Sequence, residues 1–371
     1  MNKLDELIAE FCPDGVEFAK LGDCCAIEDN KRKPIKASER TTGKTPYYGA
    51  NNIQDYVDGF THDGEYVLIA EDGSSSLDNY SIQCVSGKFW ANNHVHVVKG
   101  NEELNSRFLY HFLTTFNFVP YLVGGTRAKL NRASMIKIPI PLPPLPVQNE
   151  IVRILDNFTE LTAELTAELT ARKKQYEYYR KQALCFDGNT PMERLGDTCL
   201  MKSGKAIKAT FISETQSKTN QYKCYGGNGV RGFVSELSHQ GEYPIIGRQG
   251  ALCGNINYAV GDFYATEHAV VVKSLGKYIP RFLFYLLTAM NLNQYKSQGA
   301  QPGLAVGNIE NLLAPVPSIK KQEYIVNLLD RFDTLCNDIS TGLPAEIEAR
   351  QKQYEYYRDK LLTFKESSDE N

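Results

Sequence analysis

No catalytic centre can be recognised in this 371-residue chain. There is no Asn-Pro-Pro-Tyr or Asp-Pro-Pro-Tyr box of the kind that positions an amine for methylation, and no GxxxxGK[ST] loop to cradle a nucleotide triphosphate. Cys-x-x-Cys is absent and the nine cysteines follow no shared spacing. That argues against zinc ribbons and disulfide scaffolds, and for a reduced setting where most cysteines fill core space. No run of eighteen apolar residues occurs, so no membrane-spanning helix is expected. The opening MNKLDELIAE lacks the basic-then-apolar order of a secretory leader, and a cytoplasmic location is expected. Strong net charge is missing too: the formal value is -3, which excludes a generic polycation but leaves room for local basic patches.

Three weaker signals also fail on inspection. Gly227-Asn-Gly229-Val-Arg-Gly232 matches G-x-G-x-x-G. A dinucleotide loop, however, needs a strand before it and a helix opening inside it, and Phe233-Val234-Ser235 promises neither, so a turn is expected. His94 and His96 fall on one face of a strand, with no carboxylate or cysteine at a supporting spacing. A packed or hydrogen-bonded core pair is expected rather than a metal site. Pro13-Asp14, Glu17 and Lys20 lack the Glu-x-Lys spacing of a nuclease core.

What the chain does contain is a duplication. Residues 171–184 (ARKKQYEYYRKQAL) and 349–362 (ARQKQYEYYRDKLL) share ten of fourteen positions at an offset of 178. Upstream, Gln148, Ile151, Val152, Leu155, Asp156 and Phe158 recur as Gln322, Ile325, Val326, Leu329, Asp330 and Phe332. Arg107-Phe-Leu109 recurs as Arg281-Phe-Leu283, Tyr48-Gly49 as Tyr225-Gly226, and Gly64-Glu65-Tyr66 as Gly241-Glu242-Tyr243. Each half is thus a variable globular block, a Pro-rich hinge and a long helix. The blocks show short apolar runs broken by Gly, Asn and Asp, with strands expected at 65–70, 94–98, 243–246 and 268–272. Helices are expected at Ser106–Phe118 and Pro280–Leu292. The fold class is therefore α+β: two mixed globular domains separated by two long antiparallel helices in a coiled coil, with a pseudo-twofold internal repeat. The expected boundaries are 1–20 for an amino-terminal helix packing near the carboxy-terminal one, 21–144 and 187–317 for the globular domains, and 145–186 and 318–365 for the helices.

The central helix carries a four-three seam through Ile151, Leu155, Phe158, Leu165, Leu169, Tyr176 and Tyr179. The carboxy-terminal helix repeats it through Ile325, Leu329, Phe332, Ile339, Leu343, Ile347, Tyr354, Tyr357 and Leu361. Gly342 and Pro344 predict a break or kink near 341–344, because proline cannot continue the hydrogen-bond ladder. Thr162-Ala-Glu-Leu165 is followed at once by a second Thr-Ala-Glu-Leu. Four residues add ~6 Å to a helix and turn it only ~40°, so the seam survives such an insertion.

This order of blocks, hinge-helix segments such as IPIPLPPLPVQNEIVRILD and LLAPVPSIKKQEYIVNLLD, and GAQPGL at 299–304 resemble the specificity (S) subunit of a type I DNA restriction–modification system. The resemblance covers nearly the whole chain. It implies two target recognition domains, each reading half of a bipartite, asymmetric site in double-stranded DNA. It also implies helices that set the unread spacer, with Thr-Ala-Glu-Leu copies tuning its length, and that hold two methyltransferase (M) subunits, with endonuclease/translocase (R) subunits recruited to the complex. The chain itself would be non-catalytic and hold no cofactor or metal; methyl donor, ATP and Mg²⁺ would belong to the partners.

Basic residues cluster at 31–44 (six basic, one acidic), at 127–137 (four basic) and at 202–223 (five lysines, one glutamate). Base edges are read by planar donors and acceptors, while Lys and small hydroxyls serve phosphates. By chemistry and loop position the DNA candidates are Lys44, Tyr47, Asn51, Asn52, Arg127, Lys129, Asn131 and Arg132 in the first block. In the second they are Lys205, Tyr225, Asn228, Arg231, Arg248, Gln249, Asn255, Gln298 and Gln301. Tyr178 and Tyr356, off the seam beside Arg180 and Arg358, are the candidate partner-docking surface in both copies. The competing readings are a stand-alone DNA methyltransferase or nuclease, and a coiled-coil scaffold with no DNA role.

Overall fold

The computed structural model describes residues 3–124, 128–250, 252–297, 302–338 and 340–367. It forms two units, one from the residues up to Thr166 together with those from Glu346 onward, the other from Ala167–Ala345. Arg127, Gln298, Gln301 and the seam residue Ile339 lie outside the described residues.

In the first unit six strands lie in the order Cys25–Ile27, Val95–Gly100, His62–Ala70, Ile82–Ala91, Thr42–Tyr48 and Ile53–Val57. All neighbours are antiparallel except Thr42–Tyr48 beside Ile82–Ala91, which run parallel. Alternation along the central strand sorts its side chains. Val67 and Ile69 join the larger core under the helix Ser106–Leu113, while Tyr66 and Leu68 pack with Val85, Phe89, Val95 and Val97 on the other face.

The second unit repeats this order strand for strand: Cys199–Ser203, Ala269–Ser274, His239–Gly247, Ile256–Ala265, Tyr222–Gly226 and Gly229–Val234. Here Ile246, Val270 and Val272 face the helix Pro280–Ala289, and Ile245, Val271 and Phe263 face away. Both flanking helices are shorter than the sequence predicts. Thr114 and Thr115 turn their hydroxyls onto the carbonyls of His111 and Phe112 (2.6 and 2.8 Å), closing the first helix, and Asn291 takes a left-handed conformation (φ 47°) just past the second.

A buried glutamine fixes each sheet to its long helix. The Gln148 amide donates to the carbonyls of Glu103 (2.8 Å) and Pro143 (2.6 Å) and accepts from the Asn105 amide (2.8 Å). Gln322 does the same with Lys277 (2.8 Å), Pro317 (2.9 Å) and Ile279 (2.8 Å). An arginine–aspartate pair adds to each: Arg107 Nε sits 2.7 Å from Asp156, and Arg281 Nε 2.7 Å from Asp330. Burial works to raise the Asp156 carboxyl, but bonds from Arg107 and His111 hold it below the ordinary range.

The central helix spans Leu145–Ala183. In the first unit its Phe158 stacks on Tyr357, with ring centroids 5.4 Å apart. In the second, Tyr179 stacks on Phe332 at the same 5.4 Å. The carboxy-terminal run is two helices, Ile319–Asn337 and Leu343–Leu361. Asp338 accepts the Ser340 amide (2.7 Å), while Pro344 falls in the first turn of the new helix, where its missing N–H costs nothing. The amino-terminal helix Lys3–Phe11 buries Leu4 in the first core, and Lys3 meets Glu150 at 2.9 Å. The chain then pairs Val16 with Glu366.

Candidate nucleic-acid interface

In both units the two strands at the parallel edge form a hairpin. The Gly227–Gly232 motif belongs to it: Gly226 pairs with Gly229 across the turn, and no helix follows. Gly229 adopts φ +95°, which a side chain would strain. One residue of the returning strand has no partner. Tyr225 pairs with Val230 and Cys224 with Gly232, so Arg231 is the extra residue of a β-bulge. In the first unit Tyr48 pairs with Ile53 and Tyr47 with Asp55, which makes Gln54 the extra residue. A bulge bends its strand and re-aims one side chain. Here each bulged side chain lies across a glycine: a Cβ on Gly226 would meet Arg231 Cδ at 2.4 Å, and one on Gly49 would meet Gln54 Nε2 at 2.1 Å.

Arg231, Asn228 and Gln249 line one cleft of about 710 Å³ in the second unit, together with His268, Ser297 and Gly303. Asn255 joins its rim by donating to Asn228 (3.4 Å). Arg231 is exposed and has no ion pair among the described residues. Lys202, Lys205, Lys208, Lys218 and Lys223 are likewise exposed and in no ion pair among the described residues, leaving a net positive surface on this unit.

The first unit differs. Within the basic run at 31–44, Lys31 pairs with Glu28 (2.7 Å), Arg32 with Glu71 (2.7 Å), Lys36 with Glu39 (3.6 Å) and Arg40 with Asp55 (3.3 Å). Lys129 meets Glu71 at 2.8 Å, and Glu71 is held below the ordinary carboxylate range: burial opposes this, but bonds from Lys129 and Arg32 outweigh it. Lys44, Asn52 and Arg132 remain exposed.

Several candidates are committed to the fold. Tyr47 is 2% exposed, with Arg40 over its ring at 4.3 Å, and Tyr225 is 6% exposed against Phe263. Both are corrections to the sequence-based assignment, because a buried ring cannot meet a base. Asn51 donates to the Gly73 carbonyl (2.9 Å) and accepts from Ser75 N (2.8 Å) and Ser81 Oγ (2.6 Å), so its amide braces the 73–81 loop. Asn131 caps a short helix through Ser134 N (2.8 Å). Arg248 is half-buried and donates to Ser203 Oγ (3.0 Å). His96 is buried between Asp29 (2.6 Å) and the Leu130 carbonyl (2.8 Å), and His94 pairs with Asp72, so these imidazoles are partnered by carboxylates remote in sequence. Among the described residues, no group of three His, Cys, Asp or Glu could hold a metal ion, and no helix is long and apolar enough to cross a membrane.

Sequence reading missed Gln54, although the signal was present: aligning Tyr48-Gly49 with Tyr225-Gly226 carries Gln54 onto Arg231. It also missed a matched pair of core stacks, His62 on Phe89 (5.1 Å) and His239 on Phe263 (5.3 Å). Burial lowers the pKa of both histidines, favouring neutral rings.

On the long helices Tyr178 is 60% and Tyr356 63% exposed. Arg180 and Arg358 are drawn back over Tyr176 (5.7 Å) and Tyr354 (5.8 Å), and pair with Glu177 and Asp359. Tyr178 and Tyr356 are thus the most exposed tyrosines of their repeated helical blocks, each beside a folded-back arginine.

The family profile described as type I restriction modification DNA specificity domain matches residues 13–172 and 189–349. A Haemophilus influenzae protein bearing the name of a type I restriction enzyme specificity subunit is 44% identical over 373 residues, covering 94% of this chain and 96% of its own. The specificity subunit of an Escherichia coli type I restriction enzyme is 31% identical over 427 residues, covering 98% and 97%. The crystal structure of a type I restriction–modification S subunit from M. genitalium superposes with a TM-score of 0.64 at 17% identity, over 94% of this chain and 95% of that one, which speaks to the fold. With two matched domains filling most of its length, the chain belongs to the family of type I restriction–modification DNA specificity proteins.

Proposed function

We propose that this chain is the non-catalytic, sequence-reading subunit of a type I restriction–modification complex. Each unit reads one half of a split, asymmetric duplex target. The helices set the spacer between the halves and offer Tyr178 and Tyr356, with Arg180 and Arg358, as matching docking ground for two methyltransferase subunits; endonuclease/translocase subunits join the assembly. Methyl donor, ATP and Mg²⁺ are held by those partners.

The observation that carries this reading is one strand order built twice with different tips. The two sheets share topology, glutamine clamp and bulge. The exposed residues at the hairpin ends and the surrounding charge differ, as two dissimilar half-sites require. Lys44, Asn52, Lys129 and Arg132 in one unit, and Lys205, Asn228, Arg231, Gln249 and Asn255 in the other, are the remaining contact candidates on the described surface. The second unit's unpaired lysines serve phosphates.

The test uses the full chain with and without its methyltransferase subunits. Alone, with labelled methyl donor and plasmid DNA, it should transfer nothing; with them, it should direct methylation. Duplex affinity should fall steeply with salt, with a log–log slope near -0.9 per phosphate neutralised. Methyl transfer by the chain alone, or salt-insensitive binding, would overturn the reading.

A further inference from the structure

We propose that the bulge position of the edge hairpin is the base-discriminating position in both units. Arg231 would read a guanine in one half-site and Gln54 an adenine in the other. The assignment rests on the DNA-recognition reading above and names the residues that implement it.

Three observations converge. First, Gln54 and Arg231 are the unpaired residues of the same bulge in the same strand of two sheets with one topology. Second, the bulged side chain lies across a glycine of the preceding strand end in both units, and it fills the space a Cβ would occupy there. In Arg231 it is the stem that covers the glycine, with the guanidinium beyond it, while in Gln54 the carboxamide itself lies over Gly49. Third, these heads are little committed within the fold. Arg231 is exposed and in no ion pair among the described residues, whereas Arg248 is tied to Ser203. Gln54 is exposed and, among the described residues, its one hydrogen bond is long, accepting from Asn92 at 3.5 Å, whereas the Asn51 amide is engaged at both ends.

The chemistry separates the two. A guanidinium fork matches guanine O6 and N7, and a carboxamide matches adenine N6 and N7. A framework that holds its backbone constant while exchanging arginine for glutamine at one bulge changes which purine it accepts without changing the fold. The bulge explains why the exchange is tolerated: its residue has no cross-strand partner to satisfy.

The experiment selects bound duplexes from a randomised pool, using the full chain in complex with its methyltransferase subunits. Unaltered chain, Arg231→Gln, Arg231→Ala and Gln54→Arg are compared. Arg231→Gln should change one guanine to adenine in one half of the enriched motif, and affinity for the original target should fall on the order of tenfold or more. Arg231→Ala should leave that position unspecified, and Gln54→Arg should convert one adenine to guanine in the other half. The half-site read by the unaltered unit should persist in each case, which reports that the variants are folded. Retention of the original motif by Arg231→Gln and Gln54→Arg, whether with affinity intact or with a uniform loss on every duplex, would overturn the assignment. Failure of the unaltered chain to enrich any motif would instead overturn the DNA-recognition reading, and this assignment with it.

Discussion

Replacing Gln322 by methionine removes a buried carboxamide while keeping most of its volume. Gln322 is 0% exposed, and its loss strands the carbonyls of Lys277 and Pro317 and the amide N–H of Ile279. A buried polar group left without a partner costs ~1–3 kcal/mol. With partial rehydration at the hinge, the substitution should cost about 3–6 kcal/mol. That is a large share of the ~5–15 kcal/mol that holds a domain folded. The assay is urea or thermal unfolding of the full chain followed by circular dichroism, with Gln148→Met as its counterpart in the first unit. Each variant should lower the transition of its own unit, by roughly 6–24 °C at the ~2–4 °C per kcal/mol expected of units this size. Gln322→Glu sharpens the test, because an ionised carboxylate would face two carbonyl oxygens. Its folded-state pKa should be raised, so its stability deficit should be smallest below ordinary carboxylate pH and grow as pH rises through the folded pKa. A loss under about 1 kcal/mol in both methionine variants would refute the clamp.

Three further outcomes follow from the same geometry. Glu150, bonded by Arg153 and by Lys3 against a burial penalty, has its pKa lowered to about 2. Its stabilising contribution should be present above the ordinary carboxylate range and fade as pH falls toward 2, so wild type and Glu150→Gln should converge in acid unfolding titrations. Tyr178→Ala combined with Tyr356→Ala should leave the melting profile of the chain alone unchanged. It should weaken capture of methyltransferase subunits by about thirtyfold or more, as loss of an aromatic anchor worth ~2 kcal/mol or more implies, measured by size-exclusion titration. Deleting one Thr-Ala-Glu-Leu shortens the helix by ~6 Å with a turn of only ~40°. Methylation mapping should show a shorter unread spacer and both half-sites intact; an unchanged spacer would sink that idea.

Much of the architecture was legible because it is periodic and repeated. The seam residues Phe158 and Phe332, the hinge glutamines and the Arg107/Asp156 and Arg281/Asp330 positions all stood out by matching at one offset. Their roles did not stand out, since nothing in the sequence says that Gln148 reaches back to Glu103. The interface was less legible, for two physical reasons. Residues suited to reading bases are also good structural residues, so Tyr47 and Tyr225 went to the core and Asn131 to a cap. Charge clusters are neutralised by partners far along the chain, and the 31–44 run lost Arg32 to Glu71 and Arg40 to Asp55. Gln54 was overlooked because a bulge depends on strand register, which composition does not record.

The central claim is that two dissimilar heads read one split target. It is tested most directly by mapping modified bases across the host genome with this chain present and absent. The account predicts a chain-dependent motif of two different short sequences separated by a fixed unread gap. A contiguous motif, a palindromic one, or a modification pattern indifferent to the chain would contradict it.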